Sequence, residues 1–130
     1  MKLSYEFTID PVNKLLICEA FGEAHKIVDL EHMLKTIVKM AGKNQVKNIV
    51  FDSTEFTLLC SNLDVAKMMI TIQENGWLGE LKVARIVNPE SNIQNVIEAM
   101  AEKLSLSIKN FETRSEAMLW LLFDKVRDKH

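Results

Sequence analysis

The side chains of this 130-residue chain that could do chemistry gather in one short polar stretch, Asp52-Ser53-Thr54-Glu55, and in the segment Leu58-Leu59-Cys60-Ser61-Asn62 just after it. Asp52 and Glu55 are a pair of carboxylates of the kind used for acid/base work or for holding a metal. Three residues apart in an expected loop they have no fixed spacing, and no neighbouring His or Cys completes a ligand set. Turn formation and helix capping account for the stretch better. Cys60 stands near an expected helix start, where the helix dipole would favour a thiolate, but no base lies beside it in sequence. His25 and His32 are seven residues apart, about two helical turns, without the HExxH spacing of a zinc site, and read as solvent-facing. The chain has four glycines and no Gly-rich phosphate loop. These residues predict no catalytic centre, no metal and no cofactor.

The elements that must position this stretch are read from periodicity. Leu3 to Ile9 alternates apolar and polar, the signature of a strand with one wet face, and Asp10-Pro11-Val12-Asn13 is turn chemistry leading into a second strand over Lys14–Phe21. Gly22 is expected to stop that strand. A helix follows from between His25 and Asp29 to a stop at Gly42, with Ile27, Leu30, Leu34, Ile37, Val38 and Ala41 on one face. Asn48-Ile49-Val50-Phe51 reads as a buried central strand ended by the polar stretch. A second helix runs from Leu63 to Asn75, capped by Asn62, closed by Gly76 and apolar over a wide arc.

Leu81–Val87 makes a further strand, and Asn88-Pro89 opens a third helix. Ser107–Phe111 is a short last strand, and Thr113-Arg114-Ser115-Glu116 is a capping box for a closing helix, with a fraying tail from Asp124. The expected fold is α/β: a single layer of about five strands in a mixed sheet, flanked by about four helices, with Ile49 to Phe51 central and Ile17, Ile86, Ile97 and Leu104 in the core. One domain spanning residues 1–130 suffices for a chain of this size.

Bulk properties narrow the function classes. A net charge of −2 and a pI near 5.9 provide no field for nucleic acid, and no Lys/Arg cluster offsets it. The longest apolar run, Ala117–Phe123, is far short of the ~20 residues that span a bilayer, and the amino terminus lacks the apolar core of a secretory signal. Cys18 and Cys60 are the only cysteines and have no CxxC spacing. A cytoplasmic protein with reduced cysteines is expected.

The order of elements, the segment Asn48–Leu63 and the ending Phe111-Glu112-Thr113-Arg114-Ser115-Glu116-Ala117-Met118-Leu119-Trp120-Leu121 resemble the bacterial STAS-like family of anti-sigma-factor-antagonist relatives. The resemblance implies a mixed sheet flanked by helices without a catalytic centre. A branch of the family is similar in fold to the CRAL-TRIO lipid carriers, which implies an apolar pocket between sheet and helices. In signalling members the helix after the central strand starts Asp-Ser-Ser-Gly, the second serine being phosphorylated. The matching stretch here is Leu59-Cys60-Ser61-Asn62, which keeps Ser61 and has Leu59 and Asn62 where the acid and the glycine stand.

Two functions follow as expectations. The first is a carrier or sensor of a small apolar, lipid-like molecule held between the sheet and the second helix. Its walls would be Leu58, Leu59, Leu63, Met68, Met69, Ile72 and Trp77, with Ser53, Thr54 and Ser61 supplying polar contacts, since methionines adapt to irregular apolar ligands. The alternative is a protein-interaction module of the anti-sigma-antagonist type, a homodimer through an apolar face of the second or fourth helix, with Ser61 as a phosphorylation site.

Overall fold

In a computed structural model describing residues 2–127, the side chains of 124–127 excepted, the chain folds as β1 (Ser4–Asp10), β2 (Leu15–Ala24), α1 (Ile27–Lys43), β3 (Asn48–Leu58), α2 (Asn62–Asn75), β4 (Lys82–Ile86), α3 (Asn92–Lys103), β5 (Ile108–Phe111) and α4 (Arg114–Arg127). The strands form one sheet in the order β1-β2-β3-β4-β5, antiparallel between β1 and β2 and parallel thereafter. This is the expected five-stranded mixed sheet with four helices, with Ile49–Phe51 in its middle strand.

The connectivity dictates the layers. Three successive crossovers, β2-α1-β3, β3-α2-β4 and β4-α3-β5, step across the sheet in one direction, and crossovers of one hand then place their helices on one face. Leu30, Met33 and Ile37 of α1, Val65, Met69 and Ile72 of α2, and Ile97 and Ala101 of α3 accordingly share a core with Leu16, Cys18, Ile49, Phe51 and Val83. Only α4 returns to the opposite face, where Ala117 and Leu121 pack on Leu15, Val50, Ala84 and Ile86. Ile86 and Ile97 are buried as expected, whereas Ile17 and Leu104 are half-buried and pack at the margins of the two cores.

Several expected boundaries move, each for a local reason. The polar stretch does not end β3, which continues to Leu58. Asp52 pairs with Glu19 and Glu55 with Phe21, so β3 spends one more residue than β2 over this interval. That is a β-bulge, and it restores the alternation beyond it: Phe56 and Leu58 return to the α1–α3 face, where Phe56 meets Phe51 edge-on with 6.4 Å between centroids. Gly22 likewise does not stop β2. It lies within the strand opposite Phe56 at φ +85°, a conformation open to glycine.

Gly42 is internal to α1, which ends at Lys43 with Asn44 as C-cap. Asn88-Pro89 forms a turn, Asn88 Oδ1 accepting from the Glu90 N–H, and α3 starts three residues past Pro89 with Ser91 as N-cap. α4 is helical to Arg127, and residues 128–130 of the tail expected to fray lie outside the described residues. Thr113 and Glu116 do cap α4: Thr113 Oγ1 accepts from the Glu116 N–H at 3.2 Å and donates to Glu116 Oε1.

At the far end of α2, Gly76 is the C-cap in the left-handed region at φ +60°, and the Trp77 N–H donates to the Ile72 carbonyl. A Cβ at position 76 would meet nothing within 4 Å, so the cost of a side chain there is conformational alone. Gly76→Ala should lower stability by about 1 kcal/mol, read as a lower urea midpoint with an unchanged slope, and Gly76→Asn by less.

Candidate functional site

The candidate residues of the polar stretch are placed by the bulge in β3. Ser53 turns inward, only 2% exposed, and its Oγ donates to the Ile86 carbonyl at 2.8 Å, satisfying the end of β4. Asp52 lies on the α4 side, where Oδ1 accepts from the Thr54 N–H and Oγ1 and Oδ2 accepts from Arg114 at 3.2 Å. Arg114 also reaches Glu19 at 3.4 Å. Partial burial pushes the Asp52 carboxyl up, but the Thr54 and Arg114 contacts together hold it below its ordinary value. Glu55 is exposed, and no contact joins it to Asp52: the bulge sets it opposite Phe21 while Asp52 stands opposite Glu19. Among the described residues no three His, Cys, Asp or Glu side chains are grouped so as to hold a metal ion.

Beyond Asp52, whose partner on β4 is Ile86, β3 has β2 on one side and no strand on the other. This open edge leads through Leu59, whose N–H donates to the Ala24 carbonyl at 2.8 Å, into the start of α2. The N-cap is Ser61 rather than Asn62: its Oγ accepts from the Asp64 N–H at 3.1 Å. Around the cap stand Leu59, 48% exposed, and Leu63, 64% exposed, with Ile70 at 40% two turns along. Cys60 Sγ sits 3.8 Å from the Ala24 carbonyl. Its burial, with Asp64 and Asp29 adding to the effect, raises its pKa, so the dipole-stabilised thiolate considered from the sequence does not form here. His25 and His32 are both exposed, and His25 precedes α1 rather than sharing its face.

The apolar residues expected to wall a pocket divide. Met69 and Ile72 are buried against the sheet with Leu58, and Met68 is half-buried beside them. Leu59 and Leu63 face solvent. Trp77 is half-buried with Lys35 Nζ 4.7 Å over its ring. Ser53, Thr54 and Ser61 do not converge on a common space, since one is buried against β4, one is exposed beside Asp52 and one caps α2.

Leu58, Met68, Met69 and Ile72 do line a cavity between sheet and helices, together with α1 and α3 side chains, and its volume is about 90 Å³. Pockets for drug-sized ligands run to ~300–1,000 Å³. This cavity is well below that range.

The sequence reading missed Arg85, the one charged side chain on this cavity wall. It is 7% exposed in the middle of β4 and donates to Gln94 Oε1 on α3 and to Asn110 Oδ1 on β5, with the Phe51 ring 5.8 Å from its guanidinium carbon. Asn110 Nδ2 donates to the Gln94 carbonyl, and the Asn110 N–H to Glu98 Oε2. Burial pushes the guanidinium down to about 10, with Glu98 opposing, so it stays charged at neutral pH. The signal in the sequence was a lone arginine inside the apolar run Val83-Ala84-Arg85-Ile86-Val87.

No protein-family model and no curated protein matches the chain. Among solved structures it is similar to an anti-sigma factor antagonist from Mycobacterium paratuberculosis, with a TM-score of 0.56 at 10% identity over 91% of this chain and 94% of that one. A second is the anti-sigma factor antagonist SpoIIAA in its unphosphorylated form, with a TM-score of 0.48 at 13% identity over 96% and 97% of the two chains. The first likeness establishes a shared fold. It also overturns the main functional expectation of a lipid-like carrier, since the solved structure that shares this fold is an anti-sigma factor antagonist. The CRAL-TRIO branch finds no support.

Two outcomes test this geometry. Arg85→Ala removes the guanidinium from three elements and leaves the Gln94 and Asn110 oxygens without a donor, so it should cost about 2–4 kcal/mol of unfolding free energy in denaturant titration. Cys60 should react with iodoacetamide more slowly at neutral pH than an unperturbed thiol, its rate climbing until well above the ordinary cysteine pKa, because a raised pKa leaves less thiolate at each pH below it.

Proposed function

We propose that this chain is a non-enzymatic protein-interaction module of the anti-sigma-antagonist type, and that its docking edge is the amino end of α2 with the open half of β3. The observation that carries this reading is the exposed apolar pair Leu59 and Leu63 on either side of the capping Ser61. Side chains of this size gain ~1.5–3 kcal/mol each when fully buried, so their burial under a partner is favourable where burial in the core was geometrically impossible. Thr54, Glu55 and Thr57, exposed along the unpaired side of β3, give the apolar pair a polar rim. The anti-sigma factor antagonist that shares this fold makes an anti-sigma factor the partner to test first.

Ser61 is the site at which such docking would be switched. Its hydroxyl is exposed and already accepts a helix N–H, so a phosphate there would meet the positive end of the α2 dipole and place a dianion between Leu59 and Leu63. Asp64, in the first turn, opposes it by like charge. The departure of Leu59 and Asn62 from the signalling motif changes what a kinase would recognise, not where the charge would land.

The test is calorimetric titration of the purified chain against the anti-sigma factors of its source organism. Binding to at least one is expected, weakened about tenfold or more by Leu63→Asp and by Ser61→Asp. Leu119→Asp, on the outer side of α4, is expected to leave it unchanged. Absence of binding to every one of them removes the reading.

A further inference from the structure

The two edges of the sheet are built differently. β5 is four residues long, carries an exposed lysine, Lys109, and lies next to α3 and α4, which are the usual ways of blunting an edge. β1 has none of these. It is seven residues long, holds neither proline nor lysine, and pairs residue for residue with β2 from Ser4↔Phe21 to Asp10↔Leu15 without a bulge. α1 packs chiefly on β2 and α4 on β3, β4 and β5, whereas among the described residues the main packing partner of β1 is β2. Its apolar row, Leu3, Tyr5, Phe7 and Ile9, is consequently only half-buried, although it packs at the margin of the main core. Tyr5 and Phe7 stand edge to face at 5.7 Å.

We infer that β1 is the seam of a homodimer, pairing antiparallel with β1 of a second copy in a register centred on Phe7. The argument is one of complementarity along seven residues. Centred on Phe7, the strand sets Phe7 against Phe7, Tyr5 against Ile9 on the apolar face, and Glu6 against Thr8 and Ser4 against Asp10 on the polar face. No like charges stand opposite. A slip of one residue sets every apolar side chain against a polar one. A slip of two residues keeps the faces but opposes Glu6 to Glu6 in one direction and Glu6 to Asp10 in the other. Glu6 therefore selects the register as well as guarding the edge against indiscriminate pairing. The result is a continuous ten-stranded sheet, in which the half-exposed apolar rows of the two copies cover each other across the two-fold axis.

This seam is independent of the α2 docking edge and lies at the other side of the sheet order. A seven-residue strand pairing is at the small end of specific interfaces, so the association is expected to be micromolar. Sedimentation equilibrium of the full chain from about 1 to 500 µM should show monomer–dimer exchange. Thr8 is exposed on the polar face, so its substitution should leave the circular dichroism and the melting curve unchanged. Thr8→Glu puts a second carboxylate opposite Glu6 at both symmetric positions and should raise the dissociation constant about tenfold, whereas Thr8→Lys puts an ammonium there and should lower it by a similar factor. A chain that stays monomeric across the range overturns the inference. So does a dimer that neither Thr8 substitution shifts, or one that Leu119→Asp dissociates, which would move the seam to α4.

Discussion

The extra residue in β3 is the constraint on which the rest of the structure depends. A strand with period-two alternation that buries Ile49 and Phe51 on one face must present Asp52 to the other, and without correction the following residues would carry Phe56 and Leu58 out of phase with the core. The bulge at Ser53-Thr54 absorbs the mismatch. It also leaves a backbone disturbance inside the sheet, which Ser53 settles by giving its hydroxyl to the Ile86 carbonyl where β4 ends. β3 thereby outlasts β4 and delivers its carboxyl end, still paired to β2, to the start of α2.

The two faces of the sheet are consequences of this same geometry. On one, three helices close over the long middle strands and bury a continuous core. On the other, α4 packs on Leu15 of β2, Val50 of β3 and Ala84 and Ile86 of β4, and is pinned at its start by Arg114 spanning Asp52 and Glu19. These are partly exposed ion pairs, of the kind that adds little stability by itself. What holds α4 is the burial of Ala117 and Leu121 against Val50, Ala84 and Ile86. Arg85 contributes differently: it is a buried charge held by neutral oxygens from α3 and β5, so it ties those two elements to β4 in one geometry.

Why the interior is not a ligand chamber follows from how the helix rows interlock. Met33, Met68 and Met69 face Phe51, Phe56 and Leu58 across the gap between sheet and helices, and these flexible side chains leave a cavity of only about 90 Å³ there. The apolar surplus of the sequence is thus spent in two ways. Val65, Met69 and Ile72 complete the core, while Leu59, Leu63 and Ile70 project from the other side of α2. A helix has only about 100° of arc to bury against a flat sheet, so an apolar arc much wider than that must leave side chains in solvent.

Much of the architecture was determined by sequence alone. Alternation in Leu3–Ile9, the helical stripes of α1 and α3, and the capping box at Thr113 are local patterns, and each produced the element it specifies. The start of α2 was legible to within one residue: the sequence offered Asn62 as cap, and the structure gives the cap to Ser61, whose Oγ accepts from the Asp64 N–H. Tertiary structure decided the rest. Asp52 to Glu55 is indistinguishable from a turn until β2 is alongside to count residues against it, since a bulge is defined by the neighbouring strand. Arg85 is an ordinary strand residue until α3 and β5 bring Gln94 and Asn110 to it. And whether an apolar arc means a pocket or a surface depends on which side chains fill the same volume from other elements, which is a three-body property that no one-dimensional pattern contains.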